Sequence, residues 1–266
     1  MFRPIFAALL GCVLCTAAWA EGSVSTVNGS IHVGTPRPTP PGNVEPDQHS
    51  VNQSFDIDGT RKVGSLSTVN GAINIDAAQH TGDLTVVNGG IRVGADSVIG
   101  HVTTVNGGVT LGQNTTAESL GSVNGGIHVG PGSHVTGSVH SVNGTLDMQQ
   151  SADISGPLSS VNGKIQLASA THVGGDVVTV GGDIDVGANV HVDGNLHVEK
   201  RHQGWFDWLF GIGDHRIPRI VIGPGAVVKG KLIFEQEVKL YVSDRATVGP
   251  IQGATPVKFS GDRAPD

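Results

Sequence analysis

The tripeptide Val-Asn-Gly returns along this chain at a short and nearly constant spacing. A fixed short period of this kind builds a stack of like units rather than one globular core. The first copy is Val27-Asn28-Gly29, and full copies follow with asparagine at Asn70, Asn88, Asn106, Asn124, Asn143 and Asn162. Two degenerate copies complete the series: Val51-Asn52-Gln53, and Val180-Gly181-Gly182, where Gly181 takes the asparagine place. From Asn52 the step is 18 as far as Asn124 and 19 beyond it.

Within a unit, Leu84 and Val86 alternate with Thr85, and Ile91 and Val93 alternate with Arg92. Alternation of β-branched residues with period two predicts short half-buried strands. Asn88-Gly89 between them is a turn, because both residues tolerate positive φ. A hairpin would use the same signals, but the columns persist from unit to unit. The place of Ile91 is held by Ile73, Val109, Ile127, Leu146, Ile165 and Ile184, and that of Leu84 by Leu66, Val102, Leu120, Val139, Leu158 and Val177. Like stacks on like, as parallel coils require. Every sixth residue from Val87 to Val135 is also aliphatic, so each coil has three short sides. The fold expected is all-β: a single-stranded parallel β-solenoid of about eleven coils, about 50 Å long at ~4.8 Å per coil. The extra residue per coil after Val135 is a bulge or a longer corner. The asparagines Asn28, Asn52, Asn70, Asn88, Asn106, Asn124, Asn143 and Asn162 should stack as a structural ladder, amide on amide.

Composition agrees with a thin rod. There are 40 glycines, only 4% aromatics, and a formal charge of −7. No basic patch stands out, which argues against nucleic acid as a partner and against attraction to an anionic membrane. Residues 1–20 read as a signal peptide: Arg3 gives the positive start, Phe6 to Ala18 is apolar but too short to span a bilayer, and Ala18-Trp19-Ala20 is a cleavage site. The competing reading is a lipoprotein anchor at Cys12, since Leu9-Leu10-Gly11-Cys12 has the form of a lipobox. Both cysteines, Cys12 and Cys15, fall in this leader, so no disulfide is expected in the exported chain. No transmembrane segment is expected after residue 20. The solenoid should then run over 21–254. A proline-rich corner interrupts it at 35–46 and an aromatic loop at 199–219, and a polar tail follows at 255–266.

The repeated Val-Asn-Gly-x-Ile-x-Val units resemble the adhesin-type domains of secreted bacterial proteins. The stretch Gly174-Gly175-Asp176-Val177-Val178-Thr179-Val180-Gly181-Gly182-Asp183-Ile184, with Ile222-Gly223-Pro224-Gly225-Ala226-Val227-Val228-Lys229-Gly230, resembles bactofilins, which are polymer-forming proteins with a β-helical core. The resemblance implies a non-enzymatic structural or adhesive protein and carries no catalytic residues. Bactofilins are typically cytoplasmic and lack a leader, whereas this chain has one.

Three groups of residues are candidates for function. Trp205, Phe206, Trp208, Leu209 and Phe210 are five large apolar residues in six positions of an aromatic-poor chain. They form a lid folded onto the rod, a protein or self-assembly contact, or a membrane or glycan contact. His134, Asp153, His172 and His191 follow one another at the period of the later coils and would stack as neighbours. They are candidate metal ligands, against the plainer reading of a solvated outer row. Asp147, Gln166 and Asp185 share an outward column with Arg92, Thr110 and His128, with Asp183 and Lys164 close by. Paired carboxylates there are what a glycan-cleaving β-helix would need, but nothing sets this pair apart from other outer positions. There is no calcium-binding nonapeptide repeat, phosphate loop or cysteine metal motif, and no cofactor is expected. The expectation is an exported rod of a bacterial cell envelope, periplasmic or at the cell surface, that self-associates or binds a glycan or protein ligand of the envelope or a host. A bactofilin-like polymer is the first alternative and a glycan-active enzyme the second.

Overall fold

The structure is a computed structural model and describes residues 24–26, 31–33, 46–58, 62–200 and 216–265. The leader, Asn28, nearly all of the proline-rich corner and Trp205 to Phe210 lie outside the described residues. The strands, numbered β1–β32 in chain order, form a 20-stranded and a 12-stranded sheet. Among the described residues there is no helix.

One coil shows the plan. His134–Val135 (β15), Val139–Ser141 (β16) and Leu146–Met148 (β17) are its three sides. The next coil repeats them as Asp153–Ile154 (β18), Leu158–Ser160 (β19) and Ile165–Leu167 (β20). Each strand pairs in parallel with its counterpart. The 12-stranded sheet takes one strand from each coil, which makes about eleven turns from Ile31–Val33 (β2) to Val257–Phe259 (β32). The columns expected around Ile91 and Leu84 are register partners throughout.

The lengthening of the coil by one residue falls in one corner. Val98–Asn106 (β11) and Thr116–Ser122 (β13) each run without a break round two sides. Ala117 still pairs Val135, but Leu120 pairs Val139. The added residue therefore falls in the corner Thr136–Ser138; three separate strands per coil occur in the later coils and also before β11, as in His80–Thr81 (β8), Leu84–Asn88 (β9) and Ile91–Val93 (β10).

The core is a narrow aliphatic column. Ile91, Val93, Val109, Leu111, Ile127, Val129, Leu146, Met148 and Ile165 are all 2% exposed or less. The six-residue period needs correcting on one side. Val93, Ile99, Leu111, Ala117, Val129 and Val135 are buried, but Val87, Val105 and Val123 are only half-buried. Val51 and Val69, in the same column, are 47% and 39% exposed. The Asn-Gly turn begins there, so the chain presents the preceding residue to the core instead. That row carries hydroxyls: Thr68, Thr104, Ser122 and Ser141 are buried. Their Oγ atoms donate to the turn carbonyls of Gln53, Gly89, Gly107 and Gly125 in the coil before, at 2.8–3.2 Å. Turn carbonyls facing an apolar core would otherwise lack partners.

Two corners explain the glycine usage. At the Asn-Gly corner a Cβ on Gly107 would lie 1.9 Å from the carbonyl oxygen of Gly89, so backbone stacks directly on backbone. At another corner Ala78, Asp96, Asn114, Gly132, Ser151, Ala170, Asn189 and Gly225 all have φ between 53° and 70°. A non-glycine residue in this left-handed region costs roughly 1–2 kcal/mol. Geometry repeated in every coil thus outweighs the preference of Ala78 and Ala170.

The asparagine ladder is present and lies on an exposed corner. Each Nδ2 donates to the Oδ1 one coil below: Asn70 to Asn52, Asn88 to Asn70, Asn106 to Asn88, Asn124 to Asn106, Asn143 to Asn124 and Asn162 to Asn143, at 2.8–3.1 Å. Gly181 follows Asn162, so the ladder ends there.

The C-terminal end differs from expectation. Residues 255–266 are not only a polar tail, because β32 adds a further strand to the 12-stranded sheet above Lys239–Ser243 (β29). Phe259 in it is buried at 7% exposure.

An interior rung of the ladder makes two amide hydrogen bonds and the last rung makes one. Asn106→Ala should therefore lower unfolding free energy by about 1–2 kcal/mol and Asn162→Ala by about half as much. Urea unfolding of the two variants checks the ratio, and equal losses would mean that the ladder is not a coupled row.

Candidate functional sites on the outer rows

Stacking brings His134, Asp153, His172 and His191 into one outward column. The two oxygens of Asp153 are shared between coils. His134 Nδ1 lies 2.9 Å from Oδ2 and His172 Nδ1 lies 2.7 Å from Oδ1. The row then leaves its column: His172 Nε2 meets Asp193 Oδ2 at 3.1 Å, and Asp193 Oδ1 meets Lys229 Nζ at 2.7 Å. His191 is not part of this chain, since its Nδ1 lies 3.2 Å from the Asn189 carbonyl oxygen. The result is a five-membered file of alternating basic and acidic side chains, His134–Asp153–His172–Asp193–Lys229, spanning several coils.

Three of the four candidate metal ligands, His134, Asp153 and His172, are thus engaged with one another. Among the described residues no group of three or more His, Cys, Asp or Glu is arranged to hold a metal ion. Asp193 and Lys229 were missed in the sequence because they stand outside the column that His134 begins. Only the side-chain reach between columns joins them to it.

The electrostatics of the file follow from its contacts. Hydrogen bonds to Asp153 and then to Asp193 raise the His172 pKa above its ordinary value. Lys229 and then His172 lower the Asp193 pKa. His140 behaves oppositely, as burial over the bare backbone of Gly121 lowers its pKa. Other histidines also meet acids of neighbouring coils: His101 meets Glu118 at 3.0 Å, His128 meets Asp147 at 2.8 Å and His197 meets Glu235 at 3.1 Å.

The face considered for acid–base chemistry is stacked as expected, with Arg92, Thr110, His128, Asp147, Gln166 and Asp185 in register. Each carboxylate there has a neighbour. Asp147 takes His128 and Gln149 Nε2, the latter at 3.0 Å to both oxygens. Asp185 pairs with Lys164 at 3.1 Å. Asp183 is held by the Arg219 amide at 2.9 Å and by the Arg216 guanidinium. Beside them Asp183, Arg216, Ile217, Arg219 and Lys239 line an open hollow of about 370 Å³. Arg219 spans it, with its guanidinium 5.1 Å from the centre of the Tyr241 ring and Nη2 2.7 Å from the Pro265 carbonyl oxygen.

The aromatic candidates Trp205, Phe206, Trp208, Leu209 and Phe210 lie outside the described residues. In sequence they lie between Leu196–Val198 (β25) and Arg219–Ile222 (β26). Among the described residues no helix is long and apolar enough to cross a membrane.

Fold and outer rows together define the class of this protein: a parallel β-solenoid whose coils are linked on the outside by amide and His–carboxylate rungs. Comparison with protein-family models, with curated proteins and with solved structures gives no match.

The pKa directions set a pH dependence. A raised His172 pKa stabilises the fold fully below the unfolded value of 6.5, and this gain is lost as pH rises through the folded value. A lowered Asp193 pKa stabilises above the unfolded value of 3.8 and fails as pH falls. His140 opposes acidification, because below 6.5 the unfolded chain takes up the proton more readily than the buried ring does. The file therefore contributes most between the two unfolded values. His172→Gln should lower the melting temperature at pH 5.5 more than at pH 8. An equal loss at both would show that the His172 contacts do not depend on its charge.

Proposed function

We propose that this chain is an exported, non-enzymatic rod of a bacterial cell envelope, of the structural or adhesin-like kind, which presents repeated polar faces for binding or assembly. The observation that carries this reading is the outward column of the 12-stranded sheet. From Asp56 to Asp185 every coil offers a polar or charged side chain at the same register. Coils repeat at ~4.8 Å, so a ligand with its own repeat, a glycan or another protein surface, meets many weak contacts at once. Such contacts combine by effective concentration rather than by individual affinity. The leader-like residues 1–20 support export, and the likeness of the Val-Asn-Gly units to adhesin-type domains supports the surface role.

A bactofilin-like polymer is the second reading. What favours it is the outer edge of β32, which has no further strand above it among the described residues. An unpaired edge is a template for another chain. The two readings part in negative-stain electron microscopy across a concentration series. Discrete rods of about 50 Å, from the ~4.8 Å coil repeat, are the expected outcome. Thin filaments that lengthen with concentration would replace the adhesin reading with the polymer.

A further inference from the structure

The charges of this rod are sorted along its axis. Residues 46–200 carry five Lys and Arg against fourteen Asp and Glu, a formal −9. Residues 216–266 carry eight Lys and Arg against five Asp and Glu, a formal +3. These later residues form β26 to β32, the last strands of every ladder. An acidic body thus ends in a basic tip.

Part of this positive charge is committed. Arg216 and Lys229 reach down to Asp183 and Asp193 of the body, and Arg245 pairs with Asp262. Lys231, Lys239 and Lys258 are exposed and have no acidic partner among the described residues. They stand on different parts of the tip. Lys231 precedes Leu232–Phe234 (β28) on one side, Lys239 begins β29 on another, and Lys258 is the middle of the terminal strand β32. Cations spread round an end fit a plane of negative charge better than a single polyanionic strand, which would need them along one groove.

Lys258 also bears on what can meet the tip. Its register partner is Val242, and below that come Ile222, Val186, Leu167 and Met148, all core residues. The last position of an aliphatic column is therefore a lysine. A further coil stacked there would strip water from its ammonium group, a means by which sheet edges are blocked. A hydrated anionic surface imposes no such cost.

We propose that the C-terminal tip docks on an anionic lipid surface and holds the rod end-on. Lys231, Lys239 and Lys258 would face the headgroups, and repulsion of the acidic body would keep the remaining coils away from them. Repulsion is screened over about 8 Å at physiological salt, a distance far shorter than the rod. The lipid surface is a partner for one end of the rod only. This docking stands apart from the binding role of the faces, which microscopy tests separately.

The test is flotation of the full chain with vesicles of phosphatidylcholine, alone or with about 30% phosphatidylglycerol. The result expected is binding to the anionic vesicles only, falling steeply as salt rises from about 50 to about 200 mM. The variant K231E/K239E/K258E should bind about tenfold more weakly or worse. Residues 1–20 are common to both chains, so their contribution cancels in that ratio. A second variant, K62E, reverses an exposed cation of the body outside the outward column of the 12-stranded sheet; an end-on rod binds unchanged with it, and matching circular dichroism of all three chains confirms the fold. Equal binding to neutral vesicles, or equal weakening by the two variants, would overturn the proposal. So would tighter binding to soluble heparin than to anionic vesicles, or salt-sensitive self-association lost in K231E/K239E/K258E without any vesicle binding, which would assign the tip to a second copy.

Discussion

The parallel hydrogen-bond ladder between successive coils is the constraint on which the rest of this structure depends. Each side of a coil pairs in register with the sides before and after it, so an error in length at one corner would displace every later side chain. A shift of one residue would turn the aliphatic rows outward. This is why the coil length holds so steady between Gln48 and Val198, and why its lengthening there is confined to the corner Thr136–Ser138. It also explains why left-handed geometry recurs at Ala78 and Ala170, which would not choose it alone. The ladder fixes the backbone, and the residue types accommodate to it.

Much of this was legible in the sequence, because a solenoid writes its fold as columns. The inward rows of Ile91 and Leu84, the asparagine ladder and the outward file of Arg92 to Asp185 are all read from one period. What escaped lies between columns. The six-residue period misplaced the row of Val87, because the Asn-Gly turn advances the inward position by one residue. The buried hydroxyls Thr104, Ser122 and Ser141 look like ordinary polar residues until their bonds to turn carbonyls are seen. Asp193 meets His172 from two positions beyond the latter's register partner His191, so no single period links them. Lys229 follows Val228, the register partner of Val192, and so continues the Asp193 column. The aromatic segment inserted between those two coils hides that step from the period. The strand β32 was hidden by the polar residues around it. The basic tip was hidden by summing charge over the whole chain.

The exterior is as ordered as the interior, by different means. Inside, aliphatic rows need no specific partners. Outside, amides pair with amides and imidazoles with carboxylates from coil to coil. Each such exposed contact is weak, but every one of them links neighbouring coils and opposes their separation. A rod built in this way has surfaces set by its fold, and its polarity along the axis distinguishes one end from the other.

The most direct test is to delete a whole repeat and compare it with a partial deletion. Removing residues 89–106 joins Asn88 to Gly107 and restores the Asn-Gly corner with all later columns in register, since Asn88 and Asn106 are 18 apart. That chain should remain a cooperative, β-rich fold one coil shorter, as read by circular dichroism and thermal unfolding. Removing residues 89–97 alone should abolish cooperative unfolding, because it places later sides against the wrong neighbours. Similar stability of the two deletions would contradict the account.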